Sequence, residues 1–209
     1  IFENGRNAMS NDGTESYLSL NDISTPTTNN AEVNEIYQSF TSGSNGVDYT
    51  GITKNAIMGE EAFAFASVLK RSSAARLAIA TIQMHIVILN NMYEAVSLCQ
   101  TAMSSGTVDD GVGVYWDSAV AAAVGSTEGN EEGGSTTNGY LFYQLAQELC
   151  GYFDSCDSDG QSVLINNLMA EFAAGQSALQ SSQCDVALNS RSTIERLLQS
   201  ILIDNLAYH

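Results

Sequence analysis

Residues 72–103 read SSAARLAIATIQMHIVILNNMYEAVSLCQTAM, and this stretch decides the fold. It contains neither proline nor glycine, and its apolar residues recur every three or four positions, which predicts one long helix. The expected buried stripe is Leu77, Thr81, Met84, Ile88, Met92, Ala95 and Cys99. Ile79, Ile82, Ile86 and Leu89 widen that stripe. A helix that is apolar around so much of its circumference is expected to lie at the centre of the fold.

Shorter segments with helical periodicity lie on both sides of this stretch. Helices are predicted within residues 31–40, 56–70, 114–125, 139–153, 161–182 and 190–209, with Asn30 as an N-cap and residues 41–51 as a loop. Pro26 is the one proline of the 209 residues, which disfavours an all-β sandwich or barrel. The fold class predicted is therefore all-α, an antiparallel bundle of six or seven helices. Residues 1–30, rich in Asn, Ser and Thr, are predicted to be irregular, and residues 31–209 to form a single helical-bundle domain.

The chain is strongly acidic, with 24 Asp+Glu against 7 Lys+Arg and a net charge of −17. Such a field repels phosphate backbones and anionic membrane surfaces, so nucleic acid is excluded as a partner. No apolar run reaches the roughly 20 residues of a membrane span, so no transmembrane segment is predicted. Metal cations and cationic partners are compatible with the charge, as is a plain role in keeping the chain soluble.

Four cysteines, Cys99, Cys150, Cys156 and Cys184, form no CxxC pair and no cluster with histidine. An even count of this kind favours two disulfides and a secreted, periplasmic or cell-surface protein over a zinc site. Three pairings are possible, of which Cys150–Cys156 as a local link and Cys99–Cys184 as a long one are preferred. Four free buried thiols in a cytosolic protein remain the alternative.

No nucleophile, zinc-protease or phosphate-loop motif is present, and one of the two histidines is the last residue, so no enzymatic activity is predicted. The acidic turn DSCDSDG places Ser155, Asp157 and Asp159 at the first ligand positions of a calcium loop. The twelfth position is Asn166, where that loop needs a bidentate glutamate. A disulfide-closed turn whose acids cap the next helix fits better, so calcium ranks below iron as a bound ion.

The predicted metal site consists of His85, Glu94, Asp117 and Glu128. The first three lie among apolar residues, and Glu128 follows Gly125, the expected cap of the helix that carries Asp117. A buried carboxylate needs a donor or an opposite charge, and no Lys or Arg lies between Arg76 and Arg191. A cation from solution could supply that charge, as could backbone donors or distant arginines. The structural alternatives are a hydrogen-bonded core histidine at position 85, a solvated Glu94, and an Asp117 that makes one hydrogen bond beside Trp116, the only tryptophan.

Several motifs occur in a fixed order: YWDSAVAAAVGSTEG, GYLFYQLAQELCGYFDSC, EFAAGQSALQSSQC and LLQSILIDNLAYH. In this order they resemble the iron-assimilating, high-carbon-dioxide-inducible periplasmic proteins of algae. The resemblance runs from about Tyr93 to His209. It implies a secreted α-helical domain connected with iron acquisition, distantly similar to imelysin-type proteins. The imelysin pattern G-x-H-x-x-E is absent, because Ile86, Val87 and Ile88 follow His85.

Two functions are expected from these observations. The first is extracellular binding or handling of a metal cation, iron first, because hard oxygen ligands suit ferric iron and acidic surfaces concentrate cations. The second is a structural or adhesive cell-surface module that binds a protein partner and no metal. A group of three or more carboxylate or histidine side chains would favour the first function. A large apolar surface patch would favour the second.

Overall fold

The computed structural model describes residues 6–9, 15–18, 30–42, 47–79, 84–106, 111–124 and 142–208. The fold class is all-α, as predicted, and the described part contains eight α-helices, where six or seven were expected, together with one short hairpin. The chain divides into two compact units, Ile1–Val87 and Ile88–His209. The sequence suggested one bundle over residues 31–209, and the division between units instead falls inside the long apolar stretch.

The first unit begins with a two-stranded hairpin within the segment predicted to be irregular. Strands β1 (Arg6–Met9) and β2 (Glu15–Leu18) pair antiparallel, with Arg6 opposite Leu18 and Met9 opposite Glu15. This hairpin was not predicted, because the polar composition of residues 1–30 indicates irregular structure. The Asp12-Gly13 pair in the sequence between the strands was the signal for it. An Asp-Gly pair flanked by two short runs is a hairpin signal.

Three helices follow in the first unit: α1 (Ala31–Thr41), α2 (Tyr49–Met58) and α3 (Val68–Ala78), with a 3₁₀ turn at Glu61–Phe63. Asn30 caps α1 as predicted, because its side chain accepts from the backbone amides of Glu32 and Val33. The helix predicted over 56–70 is wrong. Helix α2 starts earlier, inside the predicted loop, and ends at Gly59, which adopts the left-handed conformation with φ 74°.

The long apolar stretch forms α3 and α4 (His85–Ser105), and residues 80–83 between them lie outside the described residues. The predicted stripe is confirmed in α4, where Ile88, Met92, Ala95 and Cys99 are all buried. Ile86 and Leu89 are buried as well, as expected for a helix that is apolar around much of its circumference. Apolar periodicity therefore identified the helical faces correctly even where the helix boundaries differ.

The second unit continues with α5 (Gly111–Val124), α6 (Phe142–Cys150), α7 (Val163–Gln180) and α8 (Cys184–Tyr208). Helices α7 and α8 form a helical hairpin through the three-residue turn 181–183, and α5 and α6 pack on this hairpin. Apolar residues three or four positions apart form the buried faces of these helices, such as Phe142, Leu145 and Leu149 in α6 and Ile165, Leu168 and Phe172 in α7. The largest buried side chains include Trp116, Phe142, Ile165, Leu168, Ile194, Leu198 and Ile201.

The preferred cysteine pairing is confirmed. Cys99–Cys184 joins α4 to the start of α8 with 5.7 Å between the Cα atoms, and Cys150–Cys156 closes the turn after α6. Both pairs lie within the second unit. Two disulfides are typical of proteins from oxidising compartments, and no helix in the described ranges is both long and apolar enough to cross a membrane.

Candidate functional site

The two predicted site residues of α4 point away from each other. His85 and Glu94 are nine residues apart in this helix, and at about 100° per residue that spacing places them on opposite faces. His85 is 1% exposed, whereas Glu94 is half-buried next to the buried ring of Tyr93. A single ion cannot be held by both side chains. Helical spacing alone could have excluded this pair.

Asp117 is an exposed residue on the solvent side of α5. Its Oδ1 accepts a hydrogen bond from Gln176 Nε2 of α7 at 2.9 Å. The buried face of α5 is formed by Trp116, Ala119 and Ala123, so Asp117 does not carry the burial cost from which a metal was inferred. Of the predicted alternatives for this residue, the structural hydrogen bond is the one present.

The predicted four-residue site is not brought together in the described part of the chain. Among all the residues that the structure describes, no group of three or more His, Cys, Asp or Glu side chains is placed to hold a metal ion. Glu128, the fourth predicted ligand, lies outside the described residues. His85 and Glu94 lie on opposite faces of α4, and Asp117 is exposed on α5.

Trp116 organises the contact between α5 and α7. Its Nε1 donates to the backbone oxygen of Phe172 at 2.9 Å, and the two rings meet edge to face with centroids 6.1 Å apart. A Cβ at Gly175 would lie within 3.0 Å of three indole atoms, so only glycine leaves room for the ring. These two adjacent residues therefore have different roles. Trp116 packs in the interior, and Asp117 links the same two helices at the surface.

The acidic turn after α6 is a hydrogen-bonded structure. The Asp157 carboxylate accepts from the backbone amides of Asp159 and Gln161 and from the side-chain amide of Asn166, at 3.0, 2.9 and 2.7 Å. The hydrogen bond from Gln161 is the largest cause that lowers the pKa of Asp157 below its ordinary value of 3.8. Gln147 Nε2 donates to Gly160 O at 2.8 Å and braces the same turn. The carboxylate of Asp157, which a calcium loop would need as a ligand, therefore already accepts hydrogen bonds within the turn.

Sequence reasoning did not anticipate an open groove of about 560 Å³ beside the Cys99–Cys184 disulfide. Its lining comes from the end of α4 and the start of α8: Gln100, Met103, Ser104, Ser182, Gln183, Cys184, Asp185 and Val186. The Met103 sulfur lies 3.2 Å from Cys184 Sγ, so the thioether covers the disulfide. The groove contains one charged residue, Asp185. No motif signals it, because its two walls are about eighty residues apart in sequence.

The charge of the second unit is not balanced by its own cations. Residues 88–209 contain 15 acidic residues and two arginines, a net charge of −13. Arg191 stacks on the ring of Tyr93, with its guanidinium carbon 3.7 Å from the ring centroid. Arg196 donates to Ser192 O and Thr193 Oγ1 of its own helix. Two arginines cannot balance fifteen acidic residues.

The first unit exposes several large apolar side chains. Ile57, Met58, Phe65, Val68 and Leu69 are all exposed, Phe65 completely. Arg71 of α3 joins that helix to the end of α2, because Nε donates to Ala56 O at 2.8 Å and Nη2 donates to Ile57 O. The guanidinium also lies against Gly59.

No protein-family model, curated protein or solved structure matches the chain. The resemblance to algal iron-assimilation proteins stays a prediction based on the quoted motifs.

Proposed function

We propose that the chain is a secreted binding protein, with no enzymatic activity, whose second unit binds metal cations, iron first. The observation that carries this proposal is the uncompensated charge of that unit. Fifteen acidic residues accompany two arginines. A surface of this kind raises the local concentration of cations, and carboxylate oxygens are the ligands that ferric iron prefers.

The motif order between Tyr93 and His209 supports the same function, because it resembles iron-assimilation proteins and falls within the second unit. Asp117 is the described candidate ligand. It is exposed, and Oδ1 holds one hydrogen bond, so its other carboxylate oxygen is available to a hydrated ion. Glu128, eleven residues further along the chain, is the proposed companion ligand.

Isothermal titration with ferric citrate and with Ca²⁺, followed by elemental analysis after dialysis, tests the proposal. Asp117→Asn and Glu128→Gln should each weaken ferric binding by about tenfold, the loss expected when one charged ligand is removed. Asp154→Asn is the matched control, because it removes one exposed charge at a left-handed position that asparagine accepts.

Three outcomes decide between the possibilities. Loss of binding in the Asp117 and Glu128 variants alone supports a site. An equal loss in Asp154→Asn means that binding follows the diffuse charge of the unit. A wild-type chain that retains neither ion contradicts cation binding as the function.

The exposed apolar side chains between Ile57 and Leu69 favour a second function, a cell-surface module that binds a protein partner. Five large apolar side chains exposed within 13 residues of the sequence are compatible with an interaction surface. A photo-reactive benzoyl-phenylalanine at position 65 should cross-link a discrete protein species on intact cells. The same probe at Ile203, an exposed apolar residue of α8, should not.

A further inference from the structure

We infer that Met103 is an oxidation site, at which a hydroperoxide converts the thioether to a sulfoxide, and that this change opens the Cys99–Cys184 disulfide to thiols. The inference goes beyond the functions proposed above and depends neither on cation binding nor on a protein partner. It rests on the exposure of Met103, on its contact with a disulfide sulfur, and on the open groove beside both.

Exposure selects Met103 among the methionines. Of those whose exposure the structure describes, two are exposed, Met103 at 62% and Met58 at 60%. Met92 is fully buried. An oxidant must reach the sulfur lone pair, so Met103 and Met58 are expected to react before Met92. Met58 is a matched comparison for Met103, because the two residues have nearly equal exposure and Met58 lies in the other unit.

The contact with the disulfide gives Met103 a consequence that Met58 lacks. Met103 Sδ lies 3.2 Å from Cys184 Sγ, and the two cysteines of this disulfide are only 4% and 3% exposed. The thioether is apolar and packs on the disulfide, whereas a sulfoxide is polar and binds water. The oxidised side chain is therefore expected to turn from the disulfide toward solvent. Oxidation thus removes the group that covers Cys184 Sγ.

The groove gives both reagents access to these sulfur atoms. Its volume is about 560 Å³, it is open to solvent, and its lining includes Met103 and Cys184. A hydroperoxide can reach the thioether from the groove. A thiolate must contact a disulfide sulfur to react with it, so reduction is slow while the thioether lies on Cys184 Sγ and faster once it has turned away.

Two reactions follow in order. In the first, a lone pair of Met103 Sδ attacks a peroxide oxygen and the O–O bond breaks. The departing oxygen takes the proton of the transferred one and leaves as water or an alcohol, so the sulfur is oxidised by two electrons and the peroxide is reduced. In the second, a thiolate attacks Cys184 Sγ, the disulfide bond breaks, and Cys99 leaves as a thiolate that takes up a proton. A second thiol releases Cys184 from the mixed disulfide, and the two external thiols end as a disulfide.

Peptide mass spectrometry of the folded full chain after timed exposure to hydrogen peroxide measures the first reaction. A metal chelator is present, so that bound iron does not contribute. Met103 and Met58 should each gain one oxygen at least about tenfold faster than Met92, because their sulfur atoms are accessible. A Met103 that stays unoxidised while Met58 reacts contradicts the oxidation site.

Reduction by glutathione, followed by differential alkylation of the cysteines, measures the second reaction. Pretreatment with peroxide should speed reduction of Cys99–Cys184 by about tenfold, because the covering thioether has turned away. Cys150–Cys156 is the internal reference, since Cys156 is already partly exposed, and its rate should not change. Met58→Leu should behave as the wild type, with the same acceleration at Cys99–Cys184.

Two substitutions at position 103 separate the cover from general damage by peroxide. Met103→Leu keeps an apolar side chain of similar size that cannot take up oxygen, so reduction should stay slow after peroxide. Met103→Gln places a polar side chain there, and reduction should be fast without peroxide. Circular dichroism confirms that both variants are folded, which is expected at an exposed position. A wild-type rate that peroxide leaves unchanged, or the same acceleration in Met103→Leu, overturns the inference.

Discussion

Gly175→Ala should destabilise the second unit, although alanine is the better helix former. In an open helical position this substitution stabilises by about 0.5–1 kcal/mol. At position 175 the new methyl would lie within 3.0 Å of three indole atoms of Trp116. The ring cannot move aside freely, because Nε1 is hydrogen-bonded to Phe172 O and the indole is fully buried. Overpacking of this kind costs about 1–3 kcal/mol, so a net loss of about 1–2 kcal/mol is expected.

Two further variants isolate the cause. Gly113→Ala is the matched control, since Gly113 lies in α5 with nothing within 4 Å of an added Cβ, and it should gain stability. Trp116→Phe removes the hydrogen bond to Phe172 and leaves a cavity, at a cost of about 2–4 kcal/mol. In that background Gly175→Ala should become neutral or stabilising, because the smaller ring leaves room for the methyl.

Urea denaturation followed by far-ultraviolet circular dichroism measures all four variants, since Trp116→Phe removes the only tryptophan fluorophore. The difference between the two Gly175→Ala effects should give a coupling of about 2 kcal/mol. A stabilised Gly175→Ala in the wild-type background, or a coupling near zero, would refute the packing of the indole against Gly175.

Three other outcomes are expected. Replacing Cys99 and Cys184 by serine should cost about 4–5 kcal/mol in urea denaturation, because that disulfide closes a loop of 85 residues, whereas loss of Cys150–Cys156, six residues apart, should cost about 2 kcal/mol. Arg71→Lys should increase hydrogen exchange at the end of α2, since an ammonium cannot reproduce the planar contact with two carbonyl groups; unchanged protection would contradict this role. The hydrogen bonds of Asp157 should stabilise the turn above pH 3.8 and be lost as pH falls through its lowered pKa; the Gln161 amide resonance should report that titration, and Asp157→Asn should abolish it.

The described residues of the predicted metal site differ in how far the sequence could place them. His85 and Glu94 could have been separated from the sequence alone, because nine residues of helix turn the chain to its opposite face. Asp117 could not. Its position beside Trp116 and the alanines suggested burial, and only the packing of α5 on α7 decides which of the two adjacent residues points inward. Adjacent residues in a helix differ by about 100°, so a tryptophan can be fully buried while the aspartate next to it stays in solvent.

The amino-acid sequence alone was enough to predict the helical class, the buried face of α4 and the cap at Asn30. These features depend on local spacing and on chemistry within a few residues, which a linear pattern records directly. Only the tertiary structure decided that Gly175 must accommodate the Trp116 indole, that Arg71 joins α3 to the end of α2, and that a groove opens beside Cys99–Cys184. Each of these depends on residues that are distant in sequence, and no periodicity specifies which distant side chain meets which backbone atom.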